Sequence, residues 1–208
     1  MTCFTRLLLR HSLAADAPGF TTNKSRPLKP FESLPPIRAL RKTLRPYQGR
    51  VKLQGCSPAH RAYTTWALAT IDLFDEAPMI EVPELYLPQD GPLAEEWRDA
   101  SEKLGGWPTY AHGVEFYDLL DRVGAVGGQA IEAAEKAHSV DVGIGSVGTT
   151  LWVFHGPFVQ CVARYLARNN KTTTALIASV ELKECGMIRV DHWSDHPYEP
   201  QVSITNHL

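Results

Sequence analysis

The chain has 208 residues, 44% hydrophobic and 21% charged, with a formal charge of −2. That length fits one domain with a sizeable core. The near-balanced charge excludes bulk attraction to a nucleic-acid backbone or an anionic membrane, so any anion site must be local. No apolar run approaches the ~20 residues that span a bilayer. The amino-terminal MTCFTRLLLRHSLAADA faintly resembles a transit or secretory segment, but its apolar stretch is short and broken by Arg10. Cys3, Cys56, Cys161 and Cys185 form no C-x-x-C pair, which excludes zinc-ribbon and thioredoxin-like sites. Scattered thiols are expected to be small core residues of a reduced, cytoplasmic protein.

Phe4–Leu9 reads as a first strand, followed by a Pro- and Ser-containing loop over 13–36. Ile37, Leu40, Leu44 and Tyr47 have helical spacing. Val51–Gln54 reads as a second strand, Pro58–Phe74 as a helix and Pro78–Val82 as a third strand. PELYLPQDGP then breaks regular structure, and 92–139 is predicted helical. Thr149–Phe154 reads as a fourth strand and Pro157–Arg168 as a helix. Ala175–Leu182 and Met187–Val190 read as closing strands, joined near Glu184–Gly186 and able to pair as a hairpin. This alternation predicts one α/β domain over 1–208: a mostly parallel sheet with helices on both faces. A helical insertion at about 91–148 is expected to wall the functional pocket.

Three segments share one pattern, a short apolar strand running into a turn with a cationic or imidazole side chain. They are LLLRHS (Arg10, His11), LQGCSPAHRA (Ser57, His60, Arg61) and LWVFHGPF (His155, Gly156). Were the strands parallel neighbours, all three turns would lie on the sheet's carboxyl edge, where open α/β sheets place ligands. Helices starting near Pro58 and Pro157 would aim their positive amino ends there, making a phosphate-sized anion site. His60 would point away if Arg61 faces the pocket. GIGSVG (143–148) matches G-x-G-x-x-G but precedes a strand, the wrong order for a dinucleotide loop. DHWSDH (191–196) spaces its histidines like a helical metal site, but Pro197 and the preceding strand argue against a helix.

These segments resemble a known family. LLLRHS resembles the R-H-G signature of the histidine phosphatase superfamily, which includes cofactor-dependent phosphoglycerate mutases. CSPAHRAYTT resembles that family's S-P-x-x-R-A-x-x-T segment, and WVFHGPF its V-x-H strand. The stretch 91–148 matches no motif. SRPLKP, VPELYLPQDG and TTTALIASVEL further resemble the R-P-L-T, P-E-L-x-P and closing-strand segments of the short SixA-like phosphohistidine phosphatases.

The resemblance implies a three-layer α/β/α, phosphoglycerate mutase-like fold and a phosphatase that needs no metal and no cofactor. His11 would be the nucleophile, Arg10 and Arg61 would grip phosphate oxygens, and His155 would complete the cage. Arg26, Ser12, Ser57 and Gly156 would bind substrate. The implied partner is a phosphorylated small molecule or a phosphohistidine protein, with no nucleic acid or membrane. A catalytically weak phosphate-binding member, or a mutase, is the alternative.

Two departures bear on activity. Ser12 replaces the family's glycine after the nucleophile and would either crowd the pocket or bond phosphate. The family's L-x-E acid, in the register of Leu85, falls on Leu87. Glu84 then becomes the candidate acid, with Glu81 and Asp90 nearby. A pocket without an acid favours phosphohistidine, whose imidazole leaves more readily than an alkoxide.

Overall fold

The computed structural model describes residues 3–15, 23–141, 147–168, 170–193 and 196–207. In chain order the elements are β1 (Cys3–Arg10), α1 (Leu34–Leu44), β2 (Val51–Cys56), α2 (His60–Thr70), β3 (Met79–Glu81) and α3 (Gly91–Leu104). Then come α4 (Tyr117–Ala137), β4 (Gly148–Phe154), α5 (Gly156–Leu166), α6 (Lys171–Ser179), β5 (Met187–Trp193) and β6 (His196–Thr205). The strands form one sheet in the order β3-β2-β4-β1-β5-β6. β1, β4, β2 and β3 pair in parallel, whereas β5 is antiparallel to both β1 and β6.

Burial of β1 on both faces follows from its continuous apolar run. Leu8 packs with Phe154, Phe158, Trp97 and Leu120 on the side of α3, α4 and α5. Leu7 and Leu9 pack with Ile37 and Leu40 of α1 and Ala62 of α2 on the other. The result is the predicted three-layer α/β/α arrangement. α1 and α3 each open with proline in the first turn, where no donor is lost. α3 stops at Gly105, whose φ of 62° is the left-handed conformation that ends a helix.

One stripe of α4 has no side chains. A Cβ at Gly124 would stand 2.3 Å from the Cys161 carbonyl oxygen, and one at Gly128 2.0 Å from the Tyr165 ring. α5 therefore lies directly against the α4 backbone, and its position is set by that contact.

The carboxyl-terminal third differs from the reading of the sequence. Residues 175–179 belong to a helix, α6, and not to a closing strand. The Asn170 side chain caps it, accepting from the Thr172 and Thr173 amides at 2.8 and 3.4 Å. Thr173 and Ile177 are both buried, one helical turn apart. The Gln160 amide donates to the carbonyls of Ile177 and Val180 (2.9 and 3.0 Å), pinning the end of the helix. The hairpin instead joins β5 to β6. Residues 191–193 are strand, as Pro197 suggests, while 194–195 lie outside the described residues. Of the G-x-G-x-x-G stretch, 143–146 also lie outside them, and Gly148 opens β4. The helix expected from Pro58 to Phe74 is shorter, His60–Thr70. All four cysteines are free. Among the described residues no helix is long and apolar enough to cross a membrane.

Candidate active site

His11, Ser57 and His155 are each the first residue beyond a strand, β1, β2 and β4 respectively. Backbone bonds stitch them to one edge: the His11 amide donates to the Phe154 carbonyl (2.9 Å) and the Ser57 amide to the Val153 carbonyl (3.0 Å). Parallel pairing thus gathers distant segments where the strand ends open. The cavity there, about 740 Å³, is lined by Arg10, His11, Arg26, Arg61, Tyr86 and His155 among others.

Hydrogen bonds fix both imidazole tautomers. His11 Nδ1 lies 2.5 Å from the Ser12 carbonyl oxygen, which only accepts, so Nδ1 carries the proton. His11 Nε2 then presents its lone pair, and Arg61 Nε donates to it at 3.1 Å. Arg61 Nη2 meets His155 Nδ1 at 3.1 Å, and a guanidinium cannot accept, so that nitrogen is the acceptor. His155 Nε2 consequently carries its proton, donated to Ser57 Oγ at 2.9 Å. The two rings meet edge to face at 5.0 Å, and the Tyr86 ring stands perpendicular to His155 at 4.9 Å.

Burial, then the Arg61 charge, push His11 down to about 3, with Arg10 and Arg26 adding to the effect and the Ser12 bond opposing it. Burial and the neighbouring His11, Arg61 and Arg10 likewise hold His155 well below the usual imidazole range. Both rings are neutral near pH 7, as a nucleophilic nitrogen requires.

Arg10 is anchored at its tips. Nη1 donates to the Leu182 carbonyl and Nη2 pairs with Glu184 at 2.7 Å. Its Nε is buried without a protein partner. Gly156, at the start of α5, lies beside that guanidinium, where a Cβ would make ordinary contact with Nε at 3.4 Å. Arg26 donates from Nε and Nη2 to the Ala15 carbonyl (2.8 and 2.6 Å).

Of the residues read from the sequence, the structure brings Arg10, His11, Arg26, Arg61, His155 and Gly156 to the cavity wall. Ser12 does not line it. Its amide donates to Thr65 Oγ1 (2.9 Å) and its hydroxyl faces Ser33, so the serine neither crowds the pocket nor reaches it. Ser57 is spent on His155 and on the Ala59 amide. Glu84, Glu81 and Asp90 are exposed and outside the lining, so none stands at the pocket as an acid. The turn at Pro83–Leu85 carries Glu84 outward and brings Tyr86 inward. His60 is exposed, as expected.

The sequence reading missed Tyr86, Glu184 and the outer wall of Trp97, Arg98 and Trp107. Trp97 and Arg98 belong to α3, inside the stretch expected to wall the pocket. Only distance in space, not any motif, connects Glu184 with Arg10.

No family model and no curated protein matches this sequence. Solved structures do match it over nearly the whole length. A chain from Nakamurella multipartitia, assigned as the phosphohistidine phosphatase SixA, is 19% identical with a TM-score of 0.55, covering 100% of this chain and 98% of that one. The protein histidine phosphatase SixA complexed with tungstate is 13% identical, TM-score 0.61, with 97% and 96% covered. A phosphoglycerate mutase from Bacillus anthracis is 15% identical, TM-score 0.61, with 98% and 93% covered. This chain shares the fold of these SixA and phosphoglycerate mutase structures. At these identities the likeness establishes the histidine phosphatase fold, and the chemistry rests on the chain's own residues.

Proposed function

We propose that this protein is a metal-independent phosphatase that hydrolyses a phosphomonoester or phosphohistidine through a phosphohistidine on His11. The observation that carries this reading is the His11 tautomer: the Ser12 carbonyl holds the proton on Nδ1 and leaves the Nε2 lone pair in a cavity walled by guanidinium groups. In the first step that lone pair forms a bond to phosphorus while the bond to the leaving group breaks in line. Arg61 Nε moves from the nitrogen to a phosphate oxygen as the P–N bond forms. The unpartnered Arg10 Nε is a second donor, and the paired geometry of a guanidinium suits non-bridging oxygens better than an ammonium does. In the second step water attacks phosphorus, the P–N bond breaks and phosphate leaves.

Positioning and charge compensation are most of what phosphoryl transfer needs, and this cage supplies both. SixA with tungstate is a protein of the same fold holding a tetrahedral oxyanion, which supports the reading. The test is His11→Ala, assayed with p-nitrophenyl phosphate and by trapping the phosphoenzyme in an alkaline quench. Loss of both is expected, and an unchanged rate would rule the mechanism out. Vanadate binding by the wild type with no turnover and no phosphoenzyme would identify a phosphate-binding protein instead.

A further inference from the structure

An alkoxide leaving group needs a proton, and no free carboxylate is available among the described residues that line the cavity. Glu184 is the one acid there, and it is engaged by Arg10. The position that faces inward where an acid was expected is Tyr86.

We propose that Tyr86 is the proton donor to the leaving group, so that this pocket accepts phosphate esters of ordinary alcohols as well as activated phosphates. This rests on His11 being the nucleophile. Three features support it. Tyr86 lines the same cavity as His11, Arg61 and His155. Its phenol carries an O–H that can be given up, which no guanidinium in the wall can do near pH 7. Arg61 Nε donates to His11 Nε2, so the attacking nitrogen and the phenol open onto one cavity. Finally, the perpendicular contact of Tyr86 with His155 at 4.9 Å fixes the ring at the cavity wall.

The chemistry balances. As His11 Nε2 bonds to phosphorus and the P–O bond to the alcohol breaks, the phenolic proton passes to the departing oxygen. The product is an alcohol, with a phenolate left in a cavity lined by Arg10, Arg26 and Arg61. In hydrolysis the phenolate takes a proton from the attacking water, the P–N bond breaks and Tyr86 is restored.

The experiment compares wild type and Tyr86→Phe on glycerol phosphate and p-nitrophenyl phosphate, together with phosphoenzyme trapping. Phenylalanine keeps the ring against His155 and removes only the hydroxyl. A general acid contributes about 10²–10⁴-fold, so kcat/KM on glycerol phosphate should fall by about 100-fold or more. The nitrophenolate ester needs little protonation and should lose less than about tenfold. An equal loss on both esters would overturn the proposal and leave Tyr86 as part of the cavity wall. So would a wild type that forms phosphoenzyme from p-nitrophenyl phosphate but does not hydrolyse glycerol phosphate. Absence of any phosphoenzyme would bring down the His11 reading itself, a separately visible failure.

Discussion

β1 carries two arginines on one face, Arg6 and Arg10, and each has a histidine within reach, yet their surroundings differ. Arg6 is buried and fully answered. Its Nε and Nη2 donate to Glu135 at 3.0 and 2.7 Å, its Nη1 meets His192 Nε2 at 2.7 Å, and its guanidinium covers the Phe4 ring. Glu135, wholly buried, also accepts from Thr150 Oγ1 (2.8 Å), which itself accepts from the Trp152 indole. Arg10 has its carboxylate only at the tip, keeps Nε without a partner, and shares its cavity with Arg26 and Arg61. The same residue types thus make a buried, ion-paired strut at one place and part of a cavity wall at the other. What separates the two is a wholly buried carboxylate beside Arg6 and a partly exposed one beside Arg10.

That contrast can be broken from either side. Glu135→Gln leaves the Arg6 charge buried and unpaired and should cost about 3–5 kcal/mol of stability, read by urea unfolding. The folded fraction should still bind vanadate. Arg61→Lys should do the reverse, keeping the melting temperature close to wild type. Its kcat/KM should fall about 10²–10³-fold, the usual effect of losing a preorganised donor. Swapped outcomes would mean that the two arginine sites have been assigned the wrong way round.

Acid should reach both regions. Burial holds His11 and His192 down to about 3, against 6.5 for an ordinary imidazole. Between those values the unfolded chain takes protons that the fold refuses. Stability is therefore complete above pH 6.5 and declines as the pH drops toward 3, at no more than about 1.4 kcal/mol per pH unit for each such ring. Vanadate should flatten the share due to His11 and His155, because a bound anion favours imidazolium, and leave that of His192 unchanged. Thermal melts from pH 7 to 4, with and without vanadate, measure this. The smallest effect belongs to Glu184→Gln. Freed from a partly exposed ion pair worth about 1 kcal/mol at most, Arg10 should bind inorganic phosphate a few-fold more tightly in calorimetric titration.

The cage was legible because each member sits beside a strand end, where local sequence reports position. Arg10, His11, Arg61 and His155 come with apolar runs and helix starts that fix which edge they share. What stayed hidden depends on distance in space. Glu184 reaches Arg10 across a separation of 174 residues, and Glu135 reaches Arg6 across 129. No spacing rule connects either pair. α6 was misread because Thr172–Thr174, Ile177 and Val180 favour strands locally, whereas the Asn170 cap and burial of Thr173 and Ile177 decide for a helix. Ser12 and Ser57 were rightly placed at the turns, but hydroxyls so close to backbone amides and imidazoles are used up within the fold.

The bare stripe of α4 also reaches the cavity wall from afar. α5 opens at Gly156 in the wall of the cavity, so its seat there is gauged by how closely it meets α4 at Gly124 and Gly128. A single methyl group added there would act like a shim under a lens mount, shifting the cavity wall while every residue that lines it keeps its identity.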